Sequence, residues 1–297
     1  MLMSKKHLLP LVALLVAVTP ASASILPENS LHLYDDPGKV AEITEEQFNQ
    51  IIDRVIDLYK PVVALHGGEL SCEKKWKDGT VNAYASRDGK VWTVSMFGGL
   101  ARRKEVTPDG FALVVCHELG HHLGGFPFYP DEDWAASEGQ SDYYATQVCG
   151  RKLWQTDYVE NAKAAETVDK TAKAQCDKNW LSTESRNLCY RIANGSLSLA
   201  TLLGVLGGTG APKFDTPDMK TVKQTNPNHP AAQCRLDTYM AGARCGVRMD
   251  TVMIPGVAHA KGQDSMEAEK VSTFQACVAT EGFADGVRPA CWFKTRY

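Results

Sequence analysis

Residues 107–125 read TPDGFALVVCHELGHHLGG. Thr107 offers a capping hydroxyl, Pro108 suits the first helical position, and Asp109 places an acid in the first turn. Gly124 and Gly125 supply the stop, so one helix is expected with FALVVCHELGHHL as its body. On a helix, residues four apart share a face, and His117 and His121 therefore converge on one point. Glu118 lies about 100° round the helix, beside that point and aimed at a water next to it. The pattern is HExxH. Two neutral imidazoles suit zinc, whose Lewis acidity brings the pKa of a bound water from 15.7 to about 7, and a carboxylate at Glu118 can take that water's proton. The bland alternative is an amphipathic helix whose histidines face solvent.

Working outward, a catalytic zinc site needs a third protein ligand. In the longer pattern HExxHxxGxxH it falls at position 127, which here is Pro127. The stretch EGQSD, early in the next helical pattern, supplies Glu138 instead. Asp142 follows four residues later on the same face, where it can accept the other ring N–H of a ligand histidine. Asp131, Glu132 and Asp133 are competing acids, but their place before a helix start is explained by the helix dipole alone. His122 is read as a neighbour of the site or a surface residue, and Cys116 as a buried, unpaired thiol. A structural site closed by His122 or Cys116 is the rival metal reading.

Upstream, TEEQFNQIIDRVIDLYKPVVALHGG puts Phe48, Ile51, Ile52, Val55, Ile56 and Tyr59 on one helical face, with Thr44 and Gln47 spaced as a capping box. ELSCEKKW and VNAYASRDGKVWTVSMF then alternate as strands, with a hairpin turn at residues 87–90. Downstream, DYVENAKAAETVDKTAKAQC, ESRNLCYRIANGSLSLATLLGVL and CRLDTYMAGA are helical in pattern, and a polar, Gly- and Pro-bearing loop spans 207–230.

The chain opens MLMSKKHLLPLVALLVAVTPASAS. A basic start, a short apolar run and a small-residue motif at 21–23 make a signal peptide, with cleavage expected near Ala23 and export to a periplasm or the outside. The run is too short to span a bilayer, so no stable membrane insertion is expected. A net charge of −3 with scattered basic residues excludes a nucleic-acid track. Export makes nine cysteines readable as disulfide partners. Spacing couples 176 with 189, 234 with 245 and 277 with 291 as local staples in the C-terminal half, and no CxxC pair suggests a zinc knuckle.

Four motifs in order, VNAYA at 81–85, HELGH at 117–121, EGQSD at 138–142 and HPAAQCR at 229–235, resemble the gluzincin metallopeptidases related to the CAAX prenyl proteases and the bacterial membrane peptidase HtpX. The resemblance implies a zincin-like domain and a sheet edge at Asn82, Ala83, Tyr84 and Ala85 along which an extended peptide pairs as an added strand. It also implies that His229 and Arg235 lie near the cleft and support substrate or a developing oxyanion. The alternative for both is structural: Pro230 starts a helix and Arg235 pairs with an acid. Unlike many members of that family, this chain shows no membrane helices beyond its leader.

The expectation is an α+β chain: a leader at 1–23, a zinc metallopeptidase domain at 24–250 with a small antiparallel or mixed sheet and active-site helices, and a disulfide-stapled extension at 251–297. The expected function is zinc-dependent endopeptidase with a protein or peptide substrate, one zinc on His117, His121 and Glu138, and Glu118 as general base and then acid. A zinc-containing peptide-binding module that does not turn over is the alternative. The tail ending ADGVRPACWFKTRY is either an export-adapted elaboration or a cover for the cleft.

Overall fold

The structure is a computed structural model, and it describes residues 22–36, 42–130, 132–248, 253–259 and 265–295. Most of the expected leader and the expected boundary at 250/251 lie outside the described residues. The chain is α+β, with a four-stranded mixed sheet of order β1-β3-β4-β2. Its strands are β1 (Ser22–Ser24), β2 (Glu69–Lys75), β3 (Ala83–Asp88) and β4 (Val91–Phe97). Strands β3 and β4 form the expected antiparallel hairpin, β2 runs parallel to β4, and β1 pairs antiparallel with the outer edge of β3.

Helix α1 (Glu45–Leu65) begins as its sequence requires: Thr44 Oγ1 accepts the Gln47 amide and the Gln47 side chain accepts the Thr44 amide. Its face of Phe48, Ile52, Val55, Ile56 and Tyr59 is buried, with the Phe48 ring 5.2 Å from Phe111. After the short α2 (Gly98–Ala101) comes α3 (Pro108–Leu123), capped by Thr107 and buried at every position from Gly110 onward. A helix buried all round must be lined by neighbours on every side. They are the sheet and α1 on one flank and, on the other, α4 (Glu138–Tyr144), α8 (Thr183–Leu206) and the elements between them. Helix α4 runs through a π turn at Ala145–Gly150 into α5 (Arg151–Trp154), followed by α6 (Tyr158–Thr167) and α7 (Lys170–Asn179). The expected helix at CRLDTYMAGA is α9 (Ala232–Arg244), and α10 (Met266–Ser272) lies in the tail. No helix of the described residues is long and apolar enough to cross a membrane.

Four disulfides are present, which is consistent with an exported protein. Cys176–Cys189 is the pair that spacing suggested. The other two staples are corrected: Cys234 bonds Cys291, and Cys245 bonds Cys277. Cys234 lies on α9 and Cys245 caps its end. Eleven residues of helix separate them by about 16 Å, far beyond the roughly 7 Å that a disulfide can bridge. Both bonds therefore reach out to the tail and tie it to α9. There Trp292 packs against Gly139 of α4, where an added Cβ would lie 2.3 Å from the indole.

Cys116 is corrected as well. It bonds Cys149 and fixes α3 to the π turn, so the free thiol is Cys72. Burial pushes the Cys72 thiol up to about 12, which leaves almost no thiolate at neutral pH. We expect one titratable thiol per unfolded, unreduced chain. In the folded chain at pH 8 we expect it to react with a disulfide reagent at least about tenfold more slowly than a free cysteine.

Candidate metal centre

Helix α3 presents His117, Glu118 and His121, and α4 presents Glu138 and Asp142. All five are fully buried, so the solvent-facing alternative for the two histidines is excluded. The helices meet at a glycine. At Gly120 an added Cβ would sit 2.8 Å from Ser141 Cα and 2.9 Å from its carbonyl oxygen. This close approach brings Glu138 to the histidines. Overpacking by Gly120→Ala costs about 1–3 kcal/mol, against a helix-propensity gain of up to about 1 kcal/mol. We expect a lower Tm by scanning calorimetry and weaker metal binding by chelator competition.

The hydrogen bonds around the two imidazoles settle their tautomers. His121 Nδ1 lies 2.7 Å from the Ala136 carbonyl, which can only accept. His117 Nδ1 lies 2.8 Å from Asp142 Oδ1, and Asp142 is held ionised by two 2.6 Å hydrogen bonds from Arg235 Nε and Nη2. Both Nδ1 atoms are therefore donors, so each imidazole, when neutral, turns its Nε2 lone pair inward. These two Nε2 atoms are 3.1 Å apart. Glu138 Oε2 stands 3.3 Å from His117 Nε2 and receives no hydrogen bond. With both rings neutral, three buried acceptors face one another and repel unless a proton or a metal ion lies between them. His117, His121 and Glu138 thus form a group that could hold a metal ion, each offering an atom within 4.8 Å of the others.

In the metal-free chain the two rings differ in charge at neutral pH. Burial opposes charge on Glu138, but the His121 and His117 rings hold its carboxyl well below the usual range. Burial lowers His121 to about 4. At His117 burial works in the same direction, yet Asp142 and then Glu138 outweigh it and raise the ring to about 9. Burial also raises Glu118 to about 8. Its Oε1 accepts the Ile25 amide at 3.1 Å, while Oε2 has no hydrogen-bond partner.

The remaining expected residues fall around this centre. Arg235 is fully buried; besides clamping Asp142 it donates through Nη1 to the Ile25 carbonyl at 2.6 Å. His229 Nε2 donates to the Ser24 carbonyl at 2.8 Å and lies 3.6 Å from Glu138 Oε2. Asn82 bonds the backbone of Leu26 in both directions, at 3.2 Å each way. Ala83, Tyr84 and Ala85 lie on β3, and Tyr84 and Ala85 stand opposite Ser24 and Ala23 of β1. No family model, no curated protein and no solved structure matches this chain.

Two alternatives fall away. His122 is not at the surface: it is buried, stacked between Trp92 and Trp134 with its Nε2 3.2 Å from the Thr93 carbonyl. With Cys116 in a disulfide, neither side chain is available to close a four-ligand structural site. Of the competing acids, Asp131 lies outside the described residues, and Glu132 and Asp133 do not join the cluster. Sequence reasoning missed Tyr129, whose hydroxyl donates to Glu138 Oε1 at 2.6 Å and fixes the carboxylate. Only the loop's return across the site brings it there, and no spacing rule flags it. Ser141, whose Oγ is 3.0 Å from His121 Nδ1, belongs with it.

Proposed function

We propose that this chain is an exported, zinc-dependent endopeptidase with a zincin-like catalytic domain, similar in its motifs to the gluzincins of the CAAX prenyl protease and HtpX kind. The observation that carries the reading is the convergence of three buried acceptors, His117 Nε2, His121 Nε2 and Glu138, beside a carboxyl at Glu118 with one oxygen unbonded. Two imidazoles and one carboxylate suit zinc, and three protein ligands leave room for reaction at the fourth position. When bound, zinc supplies Lewis acidity that makes a water acidic near neutral pH and polarises a carbonyl.

The chain's own residues would do the rest. Glu118 takes a proton from the attacking water and passes it to the leaving amine; its Oε1 already stands at hydrogen-bond distance from a peptide nitrogen, that of Ile25. His229 donates to a peptide carbonyl oxygen, where negative charge develops as the tetrahedral centre forms. Asp142 fixes the tautomer and orientation of His117, and Arg235 fixes Asp142. Burial excludes bulk water and strengthens each of these interactions.

The test is metal analysis of the purified chain together with mass-spectrometric mapping of cuts in an unstructured protein. The reading expects one zinc per chain and cleavage that a chelator abolishes and added zinc restores. A zinc-loaded, folded chain that cuts nothing would leave the peptide-binding alternative in its place.

A further inference from the structure

Residues 22–26 cross the centre, first as the strand β1 and then through a bend at Ile25 and Leu26. Ser22, Ala23 and Ser24 pair with Ser86, Ala85 and Tyr84 on the edge of β3, the edge at which a peptide would add a strand. The Ile25 amide continues the ladder to the Ala83 carbonyl at 3.4 Å. One peptide bond, between Ser24 and Ile25, receives both reaction-type contacts: His229 donates to its carbonyl oxygen, and Glu118 accepts from its N–H. The next carbonyl, of Ile25, is held by Arg235, and the Leu26 backbone by Asn82. Side chains fit in the same pattern. Ile25 and Leu26 are 1% and 2% exposed within the main apolar core. Residues 22–24 also line a cavity of about 680 Å³, whose other walls include Tyr129, Trp134 and His229.

We propose that residues 22–26 sit in the cleft as a tethered substrate mimic: the chain is held latent by its own segment, and the site selects peptides with a branched aliphatic residue after the reacting bond. This rests on the peptidase reading for the identity of the reacting bond. Activation is then displacement of the segment. Removal of a leader after Ala23 leaves Ser24, Ile25 and Leu26 in place and does not by itself empty the cleft.

The experiment uses the full chain carrying Glu118→Gln, in which any hydrolysis is expected to be slowed about 10²–10⁴-fold, and a fluorescent peptide of the sequence PASASILPEN, residues 20–29. Ile25→Pro in the chain removes the amide that joins Glu118 and Ala83. We expect the peptide to bind this variant at least tenfold more tightly than the chain with Ile25, by anisotropy, and we expect Asp in place of the peptide's Ile to abolish the gain. Equal binding to both chains, or equal binding of both peptides, overturns the inference. Should Ile25→Pro fail to fold, hydrogen exchange of the Ile25 chain decides: excess peptide is expected to strip protection from the Ile25 and Leu26 amides, and unchanged protection overturns the inference. The binding readout needs neither zinc nor turnover. A peptide that binds as expected but stays uncut by the zinc-loaded Glu118 chain therefore supports the occupancy and counts against hydrolysis alone.

Discussion

Replacing Glu118 by Gln is expected to lower peptide hydrolysis by about 10²–10⁴-fold while leaving zinc content unchanged. The amide oxygen can still accept the Ile25 N–H, so the local hydrogen bond survives. What is lost is the proton acceptor: a neutral amide cannot take a proton from water or return one to an amine. On the proposed reading zinc content holds because the ligands would be His117, His121 and Glu138, none of which bonds Glu118. A variant that lost zinc would place Glu118 among the ligands, and one that kept full activity would remove it from the chemistry. Stability of the metal-free chain supplies a second readout. Burial raises the Glu118 carboxyl to about 8 from an ordinary 4.5. Between those values the unfolded carboxyl is ionised while the buried one keeps its proton, so the Glu118 contribution to stability falls as pH rises. The substituted amide does not titrate. The Tm of the metal-free Glu118→Gln chain should therefore gain on that of the parent from pH 5 to pH 8.

The site is legible in the sequence to the extent that it is helical. His117 and His121 at a four-residue spacing, and Glu138 and Asp142 at the same spacing, can be placed on faces from the sequence, because helix geometry alone fixes those faces. Thr44 and Thr107 mark the starts of α1 and α3 for the same local reason. What cannot be read is what other segments bring. Tyr129 reaches Glu138 from a loop, Trp92 and Trp134 close over His122 from a strand and a loop, and Cys116 finds Cys149 through helix packing. The cysteine couples fail where sequence nearness stands in for spatial nearness: a helix keeps Cys234 and Cys245 apart, although only eleven residues separate them. Residues 22–26 carry the pattern of a cleavage region, and nothing local in them says that residues 22–24 pair with β3 or that the Ile25 amide reaches Glu118. That pairing joins positions about 60 apart in sequence.

Arg235→Met is expected to cost about 3–5 kcal/mol of stability, because Asp142 is left as a buried carboxylate without its cation. The guanidinium makes two 2.6 Å bonds to that carboxylate and a third to the Ile25 carbonyl, with both side chains fully buried. Removing one member of such a pair strands the other charge in a medium that cannot solvate it. Removing both is different, since a buried pair exchanged for apolar groups of similar size is often neutral. Arg235→Met with Asp142→Leu should thus regain most of the loss, and urea denaturation of the four chains measures the coupling as a double-mutant cycle. Zinc affinity should not follow stability. In the double variant His117 Nδ1 has no acceptor, its tautomer and ring orientation are unfixed, and a fall of about 10–100-fold in metal affinity is expected even where the fold is restored. Recovery of stability and affinity together would mean that the pair serves packing alone; recovery of stability without affinity assigns Asp142 and Arg235 to the orientation of His117.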